Sequence, residues 1–322
     1  TDKGKTIRNV PHLRFPEFQG EWTISLLSDF LTENKERNKK GKFGKADVLS
    51  VSGDYGIVNQ IELLGRSFAG ASVLLYHIVR HGNIVYTKSP LKEYPYGIVK
   101  ANTGVDGIVS TLYAVYNINN NADAQFIEYY FSSANRTNRY FKPIVRIGAK
   151  HDMKIGNQEV LANKVTFPNL EEQNKIASLF RLLDNRIATQ NKIIEDLKKL
   201  KSAISESLFK DIKGDVVMLS EVCGIIKGKQ INGEFLSEKG KYYVMNGGTE
   251  PSGYYNDYNV GANTISISEG GNSCGYVQFN TSPFWSGGHC YTIQKIADNV
   301  DNLYLYHYLK SKENAIMKLR IG

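Results

Sequence analysis

The chain has 322 residues, of which 41% are hydrophobic and 22% charged, with only 8 prolines, a globular composition long enough for two or three domains with separate cores. Its 40 Lys and Arg against 32 Asp and Glu give a net charge of +8, which favours a polyanionic partner without naming one. There is no run of about 18 apolar residues to span a membrane, the first ten residues carry no signal-peptide core, and Cys223, Cys274 and Cys290 form no CxxC pair. A disulfide framework and a zinc centre are therefore disfavoured, and a cytoplasmic location is expected.

Residues 1–20 read as an entry segment. Residues 21–168 read as a first domain of mixed type. Residues 46–52, 83–88, 107–116 and 164–167 are rich in Val, Ile, Tyr and Thr and are predicted strands. Residues 123–140 are a predicted helix, with Gly- and Asn-rich turns between the pieces. Residues 169–212 form the clearest element. Pro168 stops the preceding strand, Asn169 can cap the first turn, and Glu172 stands three residues on, as in a capping box. No Pro or Gly follows until Gly214, and Phe180, Leu183, Ile187, Ile194, Leu197, Ile204 and Leu208 recur at threes and fours. Gln190 and Lys201 lie in the same seam. A helix of about 40 residues would be about 60 Å long, too long for one small domain, so its stripe calls for a partner helix. Residues 213–322 repeat the order of strands, then helix. Strands are predicted at 242–246, 263–268, 276–279 and 290–294, and a helix at 301–318.

The two outer segments are related. TLYAV at 111–115 matches HCYTI at 289–293, and DAQFIEYYF at 123–131 matches DNLYLYHYL at 301–309, both at an offset of 178. YFKPIVRIG (140–148) resembles AIMKLRIG (315–322), and LSDF (27–30) resembles LSEV (219–222). This reads as one domain used twice, with the helix in between. The first copy runs on into the long helix, whereas the second stops, so a second long helix is expected to be missing from this chain. Residues 1–168 hold 22 basic against 15 acidic residues, and 213–322 hold 10 of each. A polyanion touched by both copies must meet only a local patch on the second.

VPHLRFPEF (10–18) with GEW (20–22), FPNLEEQNKIA (167–177), LLDNRI (182–187), ISISEGGNSCGY (265–276) and FWSGGHC (284–290) resemble the specificity (S) subunit of type I restriction-modification systems. The central P-x-L-E-E-Q-x-x-I-A element is the most specific of these. The resemblance implies an α+β fold of two homologous target-recognition domains joined by a coiled-coil-type helix. It implies no catalytic site, cofactor or metal. Each domain would read one half of a split site in double-stranded DNA. The helix would space the halves and dock two methyltransferase (M) subunits, with restriction (R) subunits in the full complex. Self-association through the unpaired helix is a further expectation.

In a DNA reader, Lys and Arg position the protein on phosphates while a few side chains match base edges. The densest basic run is Lys35, Arg37, Lys39, Lys40, Lys42 and Lys45, with only Glu36 opposed; its plain alternative is a solvated loop. A second set, Arg136, Arg139, Lys142, Arg146, Lys150, His151 and Lys154, could equally complement a helix dipole. In the second copy the candidates are Lys227, Lys229, Lys310, Lys312, Lys318 and Arg320, with Arg146 and Arg320 at the same repeat position. Lys88, Ser89, Tyr94, Asn246, Asn272, Ser273 and His289 are candidate base-edge contacts. Gly247–Gly248, Gly270–Gly271 and Gly287–Gly288 would admit a close backbone approach or serve as plain turns. No GxGxxG, GxxxxGK[ST], HExxH, GxSxG or NPPY-like element occurs, so no chemistry is expected of the chain itself. His77 and His81 have metal-ligand spacing for a helix, though a structural role is favoured. The competing readings are a non-catalytic carbohydrate- or protein-binding module, suggested by the Tyr, Asn and Gly content, and a nuclease or methyltransferase with a divergent site.

Overall fold

The computed structural model describes residues 9–91, 94–147, 153–210 and 212–318, in two compact units that divide between Ala188 and Thr189. The first unit is centred on four antiparallel strands: β1 (Leu31–Glu33), β2 (Ile84–Tyr86), β3 (Val99–Ala101) and β4 (Ala114–Ile118), in the order β1-β4-β2-β3. All three residues of β2 are buried. Ile84 and Tyr86 pack on the helical side and Val85 on the other, with Leu49, Val79, Val109 and Val115. A sheet covered on both faces needs an apolar run rather than an alternating one, and IVY supplies it.

Two helices cover the first face, α1 (Ala124–Phe131) and α2 (Ala134–Phe141). Asp123 caps α1 through Phe126 N at 2.7 Å. Tyr86 stacks on Phe141 with centroids 4.4 Å apart. The single helix predicted over 123–140 is thus two. Ser132 Oγ donates to Tyr129 O at 2.8 Å and Thr137 Oγ1 to Phe131 O at 2.6 Å, and such local side-chain bonds compete with helix continuation. The strand predicted over 107–116 also divides. Gly107–Val109 pairs with His77–Val79, whereas β4 begins after a turn at Ser110–Tyr113. Thr23–Leu26, at the start of the first domain and not among the predicted strands, is a strand antiparallel to Lys164–Phe167.

The second unit repeats this plan. β5 (Gly224–Lys227), β6 (Thr264–Ser268), β7 (Val277–Asn280) and β8 (Cys290–Gln294) are antiparallel in the order β5-β8-β6-β7, the same order as in the first unit. Leu305 and Leu309 of α4 (Asn302–Ser311) pack on Ile265, Val277 and Ile293. Asp301 caps α4 through Tyr304 N at 2.7 Å, the counterpart of Asp123. Asp29 and Glu221, in the matched LSDF and LSEV elements, each accept a backbone N–H three residues back, both at 3.1 Å. The helix predicted to reach 318 breaks at Lys312 and resumes as α5 (Glu313–Met317).

Between the two sheets in sequence lies α3, Leu170–Leu208, of 39 residues, about 58 Å at 1.5 Å per residue. Only Glu172, Gln173 and Ala177 of it are buried.

Candidate nucleic-acid interface

The start of α3 is fastened from three directions. Asn169 Oδ1 accepts Glu172 N at 2.9 Å, the expected cap. The reciprocal half of a capping box does not form, because the Glu172 carboxylate is used elsewhere. Its two oxygens take Arg14 Nε at 2.8 Å and Nη2 at 2.7 Å, and Trp22 Nε1 donates to it at 3.2 Å. Glu172 is 1% exposed and Gln173 fully buried. Gln173 accepts Asp123 N at 3.1 Å and donates to Asn121 O and Pro168 O. The L-E-E-Q signature therefore joins entry segment, α1 and α3. A cavity of about 470 Å³ adjoins this joint, lined by Leu13, Phe15, Trp22, Phe126, Tyr130 and Leu179 among others. Arg136 lies 4.4 Å above the Tyr130 ring and bonds Tyr130 O.

A second polar group gathers at the C-terminal ends of β1 and β2. Glu33 accepts Asn157 Nδ2 and Gln158 Nε2, each at 2.7 Å. Lys88 Nζ donates to Asn157 Oδ1, and Tyr116 OH to Asn157 O at 3.0 Å. Burial is the largest influence on the Glu33 carboxyl and would raise it, yet Asn157, Gln158, Lys35 and Lys88 together hold it below the usual carboxylate range. Burial pushes the Lys88 ammonium down against the pull of Glu33. Lys88 also sits at φ +49°, a left-handed conformation uncommon for any residue but glycine. His77, 2% exposed, has its Nδ1 without a hydrogen-bond partner among the described residues. Burial, Arg37 and Lys88 push its imidazole down to about 4, against Glu33. His77 lies on a strand and His81 in the turn after it, so the spacing of helical metal ligands does not arise.

The second unit has a comparable group at the ends of β5 and β6. Lys227 Nζ and Tyr291 OH both donate to Glu269 Oε1 at 2.8 Å, and His289 Nδ1 lies 3.6 Å from Glu269 Oε2. The hydrogen bonds from Lys227 and Tyr291 hold the Glu269 carboxyl below its usual range. Asn246 is turned inward, accepting His289 N at 3.2 Å.

The remaining candidates are scattered. Lys39, Lys40 and Lys42 are exposed in a turn, Lys42 lying 5.3 Å over the Phe43 ring. Arg139 and Lys142 are exposed at the end of α2, and Arg136 and Arg139 share an open polar concavity with Lys164. Arg146 and Lys154 are brought together across a two-residue ladder, with Arg146 3.6 Å from Glu159. Lys229 is exposed but its backbone is tied to Ser286 and Trp285. Asn272 lies exposed in the turn Gly271–Ser273, and Lys318 is exposed. Lys150 and Arg320 lie outside the described residues. On α3, Leu183, Ile187, Ile194, Leu197, Ile204 and Leu208 are each between 46% and 68% exposed. Phe180 instead meets the Tyr129 ring at 5.1 Å, and Leu197, Ile204 and Leu208 line a groove with Phe209, Tyr304 and His307.

One of the glycine pairs read as possible sites of partner approach, Gly287–Gly288, is used internally. A Cβ on Gly287 would lie 2.4 Å from Asn246 Oδ1, and one on Gly288 2.4 Å from Gln230 Oε1. These positions are closed by the chain's own side chains. Sequence reasoning had no signal for Glu33, Asn157, Gln158 or Glu269, since acids and amides far apart in the chain meet only through the fold.

The model of the type I restriction modification DNA specificity domain matches residues 212–322. A protein named as a type I specificity subunit, from Mycoplasma pneumoniae, is 38% identical over 97 residues, and one from Mycoplasma genitalium is 35% identical over 97 residues. The match spans 30% of this chain and about a quarter of each relative, 26% and 25%. Among solved structures, the type I S subunit from M. genitalium aligns with a TM-score of 0.60 at 16% identity, over 92% of this chain and 79% of that one. A chain from a structure of type I restriction-modification complex assembly aligns with a TM-score of 0.51 at 16% identity, over 96% and 83%.

Proposed function

We propose that the chain is a specificity subunit of a type I restriction-modification system and recognises a DNA sequence for such a complex, a reading supported by the match of residues 212–322 and by the likeness in fold. Each repeat reads one half of a bipartite site in double-stranded DNA. Residues 21–168 and 213–322 are the two target-recognition domains, residues 1–20 the entry segment, and 169–212 the spacer. The exposed apolar face of α3 docks methyltransferase subunits, two per complex, and restriction subunits join in the full assembly. Methylation and cleavage are assigned to those partners.

One observation carries this reading. The same four-strand order, followed by an Asp-capped helix, is built twice on one chain. Two divergent copies of one fold suit two different words on one polymer, and base edges supply such words only to side chains that reach them. The basic excess of residues 1–168 supports a phosphate-lined path on the first copy. The test is methylome sequencing of cells that express the chain with its methyltransferase subunit. One motif of two specified parts separated by a fixed gap is expected. An undivided motif, or methylation unchanged by loss of the chain, would overturn the proposal.

A further inference from the structure

β1 and β2 both run antiparallel to β4, so their C-terminal ends leave the sheet on the same side; β5 and β6 do the same beside β8. Both edges carry an acid and a lysine, with their positions exchanged. In the first unit the acid, Glu33, ends the outer strand and the lysine, Lys88, follows the inner one. In the second the lysine, Lys227, ends the outer strand and the acid, Glu269, follows the inner one. Each acid is also met by a third polar group, Gln158 at 2.7 Å in the first unit and His289 at 3.6 Å in the second.

Stability does not explain the pattern. Lys227 and His289 are 53% and 61% exposed, and exposed pairs contribute little to folding. Lys88 is half-buried on a left-handed backbone, near the buried His77, whose Nδ1 has no hydrogen-bond partner among the described residues, an arrangement that costs free energy and is kept at working sites. Lysine donors suit guanine O6 and N7, carboxylates suit the cytosine amino group, and amides suit adenine.

We infer that these two sheet edges read bases, Glu33, Lys88 and Gln158 specifying one half-site and Lys227, Glu269 and His289 the other. The inference rests on the proposed function and deepens it. Because acid and lysine trade places, the two halves of the site differ in sequence. The test is selection from a random duplex library by the full chain in complex with its methyltransferase subunits, for the wild type, Glu33→Gln, Lys88→Gln and Glu269→Gln. The first two variants are expected to lower enrichment about tenfold at positions within one half-motif only, and Glu269→Gln within the other only, as for loss of one base contact. A thermal melt of each variant separates loss of reading from loss of folding, and Glu33→Gln, nearly isosteric, keeps the test open should Lys88→Gln unfold. A wild-type motif that every variant retains in both halves, or loses equally in both, overturns the inference and leaves the proposed function standing. A wild type that enriches no sequence overturns both.

Discussion

Arg14 and Glu172 are 158 residues apart in sequence and meet in a two-pronged ion pair whose side chains are 13% and 1% exposed. Removing one partner of such a pair leaves a charge stranded away from water, at a cost of about 3–5 kcal/mol. Arg14→Ala is therefore expected to lower the melting temperature of the first unit by roughly 10 °C in calorimetry, given about 2–4 °C per kcal/mol for a unit of this size. A melt unchanged within about 2 °C would show that Trp22 alone can satisfy the carboxylate. The cap at Asn169 was legible in the sequence because capping is local. The destination of Glu172 was not, because the same three-residue spacing serves both a capping box and a long-range pair.

At the level of elements, periodicity revealed α3 with its bounds nearly right, since 39 residues without Pro or Gly leave few alternatives. It was less informative for the helices over each sheet. Ser132 and Lys312 end them through local hydrogen bonds that apolar spacing does not register. It was least informative for the short strands around His77–Val79 and Gly107–Val109, where three-residue runs are too brief to show a period. The exposed face of α3 carries a second prediction. Ile187→Lys and Leu197→Lys together are expected to weaken capture of the methyltransferase subunit at least tenfold in a pull-down titration. Melting should change little, since both side chains are more than half exposed at 59% and 58%. Undiminished capture would assign docking to another face. Light scattering on the chain alone addresses self-association: a mass above 36.2 kDa that the same variants reduce would support it.

For the molecule as a whole, charge is the property with the longest reach. Residues 1–168 carry the excess, 22 basic against 15 acidic, and phosphate contacts release counterions in proportion to their number. Replacing Lys39, Lys40 and Lys42 by alanine is expected to flatten the slope of log affinity against log salt by about 2–3 while leaving the preferred sequence unchanged. An unaltered slope would mean that this turn never meets the backbone of the duplex. The duplicated architecture was legible from matched strings at one offset, because the capping Asp residues and the buried apolar positions behind them, Ile127 and Phe131 in one copy and Leu305 and Leu309 in the other, keep their spacing. Of the groups that distinguish the copies, Lys88, Lys227 and His289 were singled out by residue type, whereas Glu33, Gln158 and Glu269 were not, since their partners lie far off in the chain.

The clasp between Arg14 and Glu172 also has a bearing on biosynthesis. A ribosome adding about 5–20 residues per second leaves the arginine waiting roughly 10–30 s for a glutamate 158 positions downstream, and the strand Thr23–Leu26 waits as long for Lys164–Phe167. The nascent first unit therefore stays open at its seam until the beginning of α3 has cleared the exit tunnel, and its completion is timed by the arrival of the rod.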